Sequence, residues 1–282
     1  MQKIETILID GNRELKKNKI EASNLESQIL LSFILGVSKE YLIINSNLKL
    51  EYEKISKYRK LIKRRFEGES ISNITGKREF YGRQFSVSGN VLDPRPETEL
   101  IINIIKEIYA KDASCSVVDL GTGSACLIST LLLEFPNFKG IGTDISEDAI
   151  NIAQKNAREY LISDRVSFIV SDWLDAIDFN KFDILISNPP YISYYEMQNI
   201  MVDVKDFEPE LALTDFKDGL QFYARLSDIG PLLIKKDGWM LLEVGINDHS
   251  KKVLNLFKSK GFKDIDLVSD YNNNNRVLRV KI

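Results

Sequence analysis

From Ser116 to the end of the chain, short apolar runs alternate with longer amphipathic stretches. The runs at 116–120, 140–143, 166–170, 182–187, 238–244, 264–268 and 276–282 are rich in Val, Ile, Leu and Phe and read as strands. Between them, 125–134, 146–160, 219–234 and 248–260 carry apolar residues at helical spacing. Regular strand–helix alternation predicts an α/β domain, a parallel sheet with helices on both faces.

The first part of the chain has another texture. Residues 1–72 read as a small all-helical domain. Ser23-Asn24-Leu25-Glu26 predicts a capping box ahead of Ile29, Leu30, Phe33 and Ile34, and Gly36 predicts the stop. A second helical run, 51–66, places Ile55, Tyr58, Leu61, Ile62 and Phe66 on one face. Lys54, Lys57, Arg59, Lys60, Lys63, Arg64 and Arg65 lie on the other, a solvated face or one that meets RNA or an acidic partner. Residues 73–95 are punctuated by Thr75-Gly76, Gly82 and Gly89-Asn90 and predict a short β-hairpin linker. The remainder, 96–282, is the α/β domain. It opens with Pro96-Glu97-Thr98-Glu99, where a proline suits the first turn of a helix over 100–110 and the acids its positive end.

Composition adds bounds. The 282 residues are 44% hydrophobic and 28% charged with net charge −3, ordinary for a soluble globular protein without a strong pull toward nucleic acid. Charge is uneven: residues 1–75 hold 14 Lys/Arg against 10 Asp/Glu, and the rest 24 against 31. Cys115 and Cys126 make no disulfide framework, and with His249 as the single histidine no metal spacing exists. No signal peptide or membrane-length apolar run is seen, so a cytoplasmic location and no membrane partner are expected.

The chemistry concentrates at strand ends. The run Phe182–Ser187 stops abruptly at Asn188-Pro189-Pro190-Tyr191. Two prolines fix φ near −65° and offer no N–H, and each forces the residue before it out of the helical region. Asn188 is thus held extended at the carboxyl edge of the sheet, where open α/β folds bind ligands. Upstream, Asp119-Leu120-Gly121-Thr122-Gly123-Ser124-Ala125 is a strand running into a glycine turn and a helix. Small residues there admit a ligand close to the backbone, and Asp119 can orient a polar or cationic group. The next strand ends at Asp144, suited to both hydroxyls of a ribose, and the third at Asp172-Trp173, suited to an exocyclic amine and a purine face. Cys126 occupies the third position of the dinucleotide fingerprint and no phosphate-cradling loop is present, so a phosphate chain is poorly served.

Taken together, the alternation from Val117 and these strand ends resemble a Rossmann-like, class I S-adenosylmethionine-dependent methyltransferase, in which Asn188-Pro189-Pro190-Tyr191 matches the motif for methylating planar nitrogens. Ile74-Thr75-Gly76-Lys77-Arg78-Glu79-Phe80-Tyr81-Gly82, Pro94-Arg95-Pro96-Glu97-Thr98-Glu99, Glu208-Pro209 with Asp218-Gly219-Leu220, and Leu242-Glu243-Val244-Gly245 further resemble the peptide-chain release factor glutamine methyltransferases (HemK/PrmC family). Departures are Ala125, where that family usually has glycine, and Asp93, where a smaller or apolar residue is commoner.

The resemblance implies methyl transfer from S-adenosylmethionine to the glutamine of the Gly-Gly-Gln loop of class I release factors, in translation termination. It implies Asn188, Pro189 and Tyr191 as catalytic residues, and Asp119, Gly121, Thr122, Gly123, Ser124, Ala125, Asp144, Asp172, Trp173 and Asn188 as cofactor-binding. Asn188, Pro189, Pro190, Tyr191, Pro96 and Glu97 would meet the substrate, and the helical domain would grip the release factor, with no metal, no stable nucleic-acid partner and a monomeric enzyme. Two alternatives stand beside it. One is methylation of an adenine or guanine exocyclic amine, which the same acceptors fit. The other is a non-catalytic S-adenosylmethionine-binding protein, which has no need of Asn-Pro-Pro-Tyr.

Overall fold

In the computed structural model, which describes residues 1–172, 182–198 and 207–282, the chain divides at Gly76 into two units with separate apolar cores. The first contains helices α1 (Ile4–Lys17), α2 (Ser23–Leu35), α3 (Lys39–Ile44), α4 (Tyr52–Phe66) and α5 (Ile71–Thr75), with strands β1 (Gln2–Lys3) and β2 (Lys49–Leu50) paired antiparallel. Ile4, Ile7 and Leu15 of α1 meet Leu30, Leu31, Ile55, Tyr58 and Ile62; the α4 face is the one that helical spacing predicts, while on α2 the buried side includes Leu31 and leaves Phe33 exposed. Gly11 lets α1 sit against Tyr58: a Cβ there would lie 1.9 Å from the phenol oxygen. Gly36 ends α2 at φ +68°, a conformation glycine adopts freely.

The capping box expected at Ser23-Asn24-Leu25-Glu26 does not form. Ser23 lies inside the helix and its hydroxyl donates to Asn12 Oδ1 at 2.8 Å, while Glu26 pairs with Arg65 of α4 at 2.7 Å. Tertiary partners on neighbouring helices took both side chains from the local motif. The basic face of α4 is likewise laced with acids: Lys57 meets Glu53 at 2.7 Å, Lys63 meets Glu67 at 3.5 Å, and Arg64 meets Glu69.

The second unit begins with the hairpin β3 (Lys77–Phe80) and β4 (Arg83–Ser86). Its two-residue turn, Tyr81-Gly82, has φ of 52° and 69°, the doubly left-handed geometry that matches strand twist. A single 3-10 turn, Pro96–Thr98, leads into α6 (Glu99–Ile108). The main sheet follows: β5 (Ser116–Leu120), β6 (Lys139–Asp144), β7 (Val166–Val170), β8 (Phe182–Ser187), β9 (Ile234–Glu243), β10 (Ile265–Ser269) and β11 (Asn275–Lys281). Helices α7 (Cys126–Glu134) and α8 (Glu147–Glu159) follow β5 and β6; Gln221–Leu233 and Asp248–Ser259 are also helical. The order is β10-β11-β9-β8-β5-β6-β7.

The expectation of a parallel sheet needs one correction. β7, β6, β5, β8 and β9 are parallel, but β11 enters antiparallel between β9 and β10. Only a tight turn separates β10 from β11. In it Asp270 accepts the backbone N–H groups of Asn272 and Asn274, and so short a connection cannot reach a parallel partner. Because β5 pairs β6 on one side and β8 on the other, the winding reverses between β5 and β8. A crevice opens there at the carboxyl ends, and Ser187 Oγ, donating to Leu120 O at 2.6 Å, ties the two strand tips together.

Candidate active site

That crevice is a cavity of about 620 Å³ within the second unit. Of the residues predicted from sequence, Asp119, Gly121, Thr122, Gly123, Ser124, Asp144, Asn188 and Pro190 line it. The tips of β5, β6 and β8 bring them together, as the strand-end reading required.

The turn after β5 is built for close approach. Gly121 and Gly123 have φ of 70° and 54°, and Thr122 donates its N–H to Thr143 O at 2.8 Å. The Thr122 hydroxyl donates to Asp119 Oδ2 at 2.7 Å. Asp144 closes the turn from the neighbouring strand, its Oδ2 accepting the N–H of Gly123 at 2.9 Å and its Oδ1 that of Ser146 at 3.0 Å. Ser146, not Asp144, caps α8. From behind, the fully buried Asn156 donates to Ser124 O at 2.8 Å and to Ser86 O at 3.0 Å, while its oxygen accepts the N–H of Ser86 at 2.8 Å. Burial pushes Asp119 up to about 7 and raises Asp144 as well.

Among the described residues, the other predicted ones are not part of the cavity lining. Ala125 takes φ 59°, the conformation a glycine there would supply, and its methyl is buried in the core beside α7. Asp172 is exposed and faces Arg225 at 3.5 Å, although Arg225 itself lines the cavity. Trp173 lies outside the described residues. Pro96 is exposed and Glu97 faces Arg276 at 3.6 Å. Pro189 is buried, and the Tyr191 ring packs toward the core, 5.8 Å from the His249 ring.

His249 supports this corner. Its Nδ1 accepts the N–H of Gly245 at 3.1 Å, so Nε2 carries the proton and donates to Gly219 O at 3.0 Å. Gly219, with φ of 78°, admits the Tyr191 carbonyl to within 2.2 Å of where a Cβ would stand.

Sequence reasoning missed a chain of side chains behind Asn188. Asn188 Nδ2 donates to Thr98 Oγ1 at 3.2 Å, and Thr98 donates to Glu243 Oε2 at 2.5 Å. Tyr191 donates to the second oxygen of Glu243 at 3.4 Å. Glu243 is buried, and burial pushes it up to about 7 against the pull of Arg276. Asn188 Oδ1 is buried at the cavity with no hydrogen-bond partner among the described residues. The Leu242-Glu243-Val244-Gly245 run contained the signal, but nothing local tied Glu243 to Thr98, 145 positions away.

The residues around Arg95 are held by ion pairs. Arg95 Nη2 donates to both oxygens of Glu208 at 2.7 Å, and Arg78 donates to Pro94 O at 3.1 Å while facing Asp93 at 3.5 Å. Asp93, an oddity in the sequence, is thereby the partner of an arginine on the hairpin. Pro209, Leu211, Ala212 and Thr214 also line the cavity.

The donor set fits S-adenosylmethionine better than a phosphate-bearing nucleotide. Asp119 and Asp144 point carboxylates at the cavity, and its cations Arg95 and Arg225 face Glu208 and Asp172. A cationic amino acid joined to a ribose suits acids; a phosphate chain does not.

Comparison with known proteins agrees. Residues 6–76 match the PrmC N-terminal domain and 111–228 a methyltransferase domain. A release factor glutamine methyltransferase of Koribacter versatilis is 38% identical over 83% of this chain and 83% of its own length. A bifunctional methyltransferase of Rickettsia conorii is 34% identical over 98% of this chain, which spans only 57% of that protein. The human Mettl16 catalytic domain, solved with an RNA hairpin, shares the fold at TM-score 0.60 and 13% identity, covering 89% of this chain and 90% of that one. No described helix is long and apolar enough to cross a membrane.

Proposed function

The chain belongs to the release factor glutamine methyltransferase family, and we propose from that premise that it methylates the side-chain amide nitrogen of the glutamine in the Gly-Gly-Gln loop of class I release factors. The observation that carries this reading is Asn188: its amide nitrogen is held by Thr98, and its oxygen is left buried and unmatched at the cavity.

An amide nitrogen is a weak nucleophile because its lone pair is delocalised into the carbonyl. Asn188 Oδ1 accepts one N–H of the substrate amide and, as the family resemblance implies, the main-chain carbonyl of Pro189, a residue outside the cavity lining, accepts the other. They fix its direction, favour a pyramidal nitrogen and stabilise the positive charge that develops there. S-adenosylmethionine, when bound, supplies an electrophilic methyl on sulfur. Asp144 takes the ribose hydroxyls, Asp119 the amino group, and the Gly121–Ser124 backbone the close contact. The new N–C bond forms as the sulfonium S–CH₃ bond breaks, its electron pair staying on the departing sulfur, and the methylated nitrogen is then acidic enough to lose one proton to water, so no strong general base is needed. Tyr191 acts by anchoring the prolyl corner, its ring packed on His249.

The same reading makes the protein a cytoplasmic monomer without a stable nucleic-acid partner, its helical unit gripping the release factor. The experiment is mass spectrometry of release factor incubated with enzyme and S-adenosylmethionine, with RNA and DNA as parallel substrates. One added methyl on the Gly-Gly-Gln glutamine is expected. Methylation of nucleic acid alone, or of nothing, would overturn the proposal.

A further inference from the structure

The Asn188 carboxamide has two unlike ends, and only its oxygen suits a substrate NH₂. A threonine hydroxyl carries one proton and two lone pairs. With Thr98 Oγ1 2.5 Å from Glu243 Oε2 and the carboxylate ionised, as it is above its raised value of about 7, that proton belongs to the bond with the carboxylate, which then has none to give. Toward Asn188, at 3.2 Å, the hydroxyl can then only accept. The carboxamide nitrogen must face Thr98, and Oδ1 must face the cavity. Glu243 is itself fixed, with Tyr191 on its second oxygen at 3.4 Å and the Tyr223 hydroxyl donating to its main-chain carbonyl at 2.6 Å.

We infer that Thr98 and Glu243 are positioning residues for the transfer: their one-way chain of donors fixes which end of the Asn188 carboxamide is presented, so that the site takes an NH₂ and turns away a carbonyl or carboxylate oxygen. The inference rests on the reading of Asn188 as the acceptor of the substrate amide. With the carboxamide reversed, an N–H would meet the N–H of the substrate and the acceptor pair would be lost.

Steady-state methylation of release factor by the full chain tests it, comparing wild type with Thr98→Val, Thr98→Ser, Glu243→Gln and Asn188→Ala. Melting temperature and S-adenosylmethionine affinity are measured alongside. Valine keeps the shape of threonine but leaves the Asn188 nitrogen unheld. Glutamine at 243 can donate to Thr98 and so permits the reversed carboxamide. Thr98→Val and Glu243→Gln are expected to lower kcat about 10- to 100-fold with KM for S-adenosylmethionine within about twofold, while Thr98→Ser recovers most of kcat. The double variant Thr98→Val with Glu243→Gln should lose little more than either single change, because both cut one chain. Should Thr98→Val fail to fold, Glu243→Gln, close to isosteric, cuts the same chain and decides the matter alone. Wild-type kcat in these variants, with Asn188→Ala inactive, would overturn the inference and leave the acceptor role of Asn188 standing. Wild-type kcat in Asn188→Ala would remove that role itself.

Discussion

The Asp144 carboxylate accepts the backbone N–H of Gly123 at 2.9 Å, so the tip of one strand shapes the turn that follows its neighbour. Each carboxylate oxygen already holds one backbone N–H and keeps capacity for a second donor from the cavity. Asp144→Ala removes both the expected ribose acceptor and the clasp on the turn. Hydrogen bonds to a charged group contribute about 1.5–3 kcal/mol each, so affinity for S-adenosylmethionine should fall at least tenfold. Calorimetry reads this directly, and unchanged affinity would exclude Asp144 from the ribose site.

Asp119 gives the cofactor affinity a pH dependence. Burial pushes its carboxyl up to about 7, with the neighbouring Asp144 adding in the same direction and the Thr122 hydroxyl opposing. A protonated acid cannot pair with an ammonium group, so affinity should be highest above pH 7 and weaken as pH falls below it, approaching tenfold per unit. In the ligand-free protein the sign reverses. A raised carboxyl stabilises the fold below its unfolded value of 3.8, and that contribution is lost as pH rises through about 7. Calorimetric titrations at pH 6, 7 and 8 check the first statement; a flat profile would show that Asp119 stays ionised.

Gly11→Ala should destabilise the helical unit even though alanine is the better helix former. The propensity gain is about 1 kcal/mol at most. Against it, the new methyl would stand 1.9 Å from the hydroxyl oxygen of the buried Tyr58, an overlap that must displace the ring. Overpacking of this kind costs about 1–3 kcal/mol, so a net loss is expected in chemical denaturation. A gain in stability would mean that the ring moves freely.

Ala125→Gly should change stability little. Alanine in the left-handed region costs about 1–2 kcal/mol, which glycine relieves. The buried methyl contributes about 0.8 kcal/mol, which glycine gives up, and glycine adds freedom to the unfolded chain. These terms nearly cancel, so the expected change stays within about 1 kcal/mol, and a larger loss would show that the methyl is essential to core packing.

The sheet was legible because apolar runs of strand length are hard to place elsewhere: β5, β7 and β8 fall where the runs lie. Direction was less so, because no residue in β11 announces that the turn after Ser269 is too short for a crossover. The capping box misled because Ser23 and Glu26 had better partners in Asn12 and Arg65, side chains on other helices that a four-residue motif does not register. At the site, Asp119, Asp144 and Asn188 were readable from position alone, whereas the strand-tip acid Asp172 lies outside the cavity lining and faces Arg225. Thr98 and Glu243 were not, since their meaning lies in a contact spanning the domain, and Tyr191 was assigned to the cavity although its ring turns into the core.

Asn156 joins the hairpin strand at Ser86 to the turn residue Ser124 through one buried carboxamide. The Ser86 amide proton therefore exchanges with solvent only when that clasp opens, and opening the clasp also releases the cofactor turn. Ligand binding at the turn should slow deuterium uptake at Ser86, a position that itself touches no ligand. The hairpin would thus report occupancy of a pocket from which it stands apart.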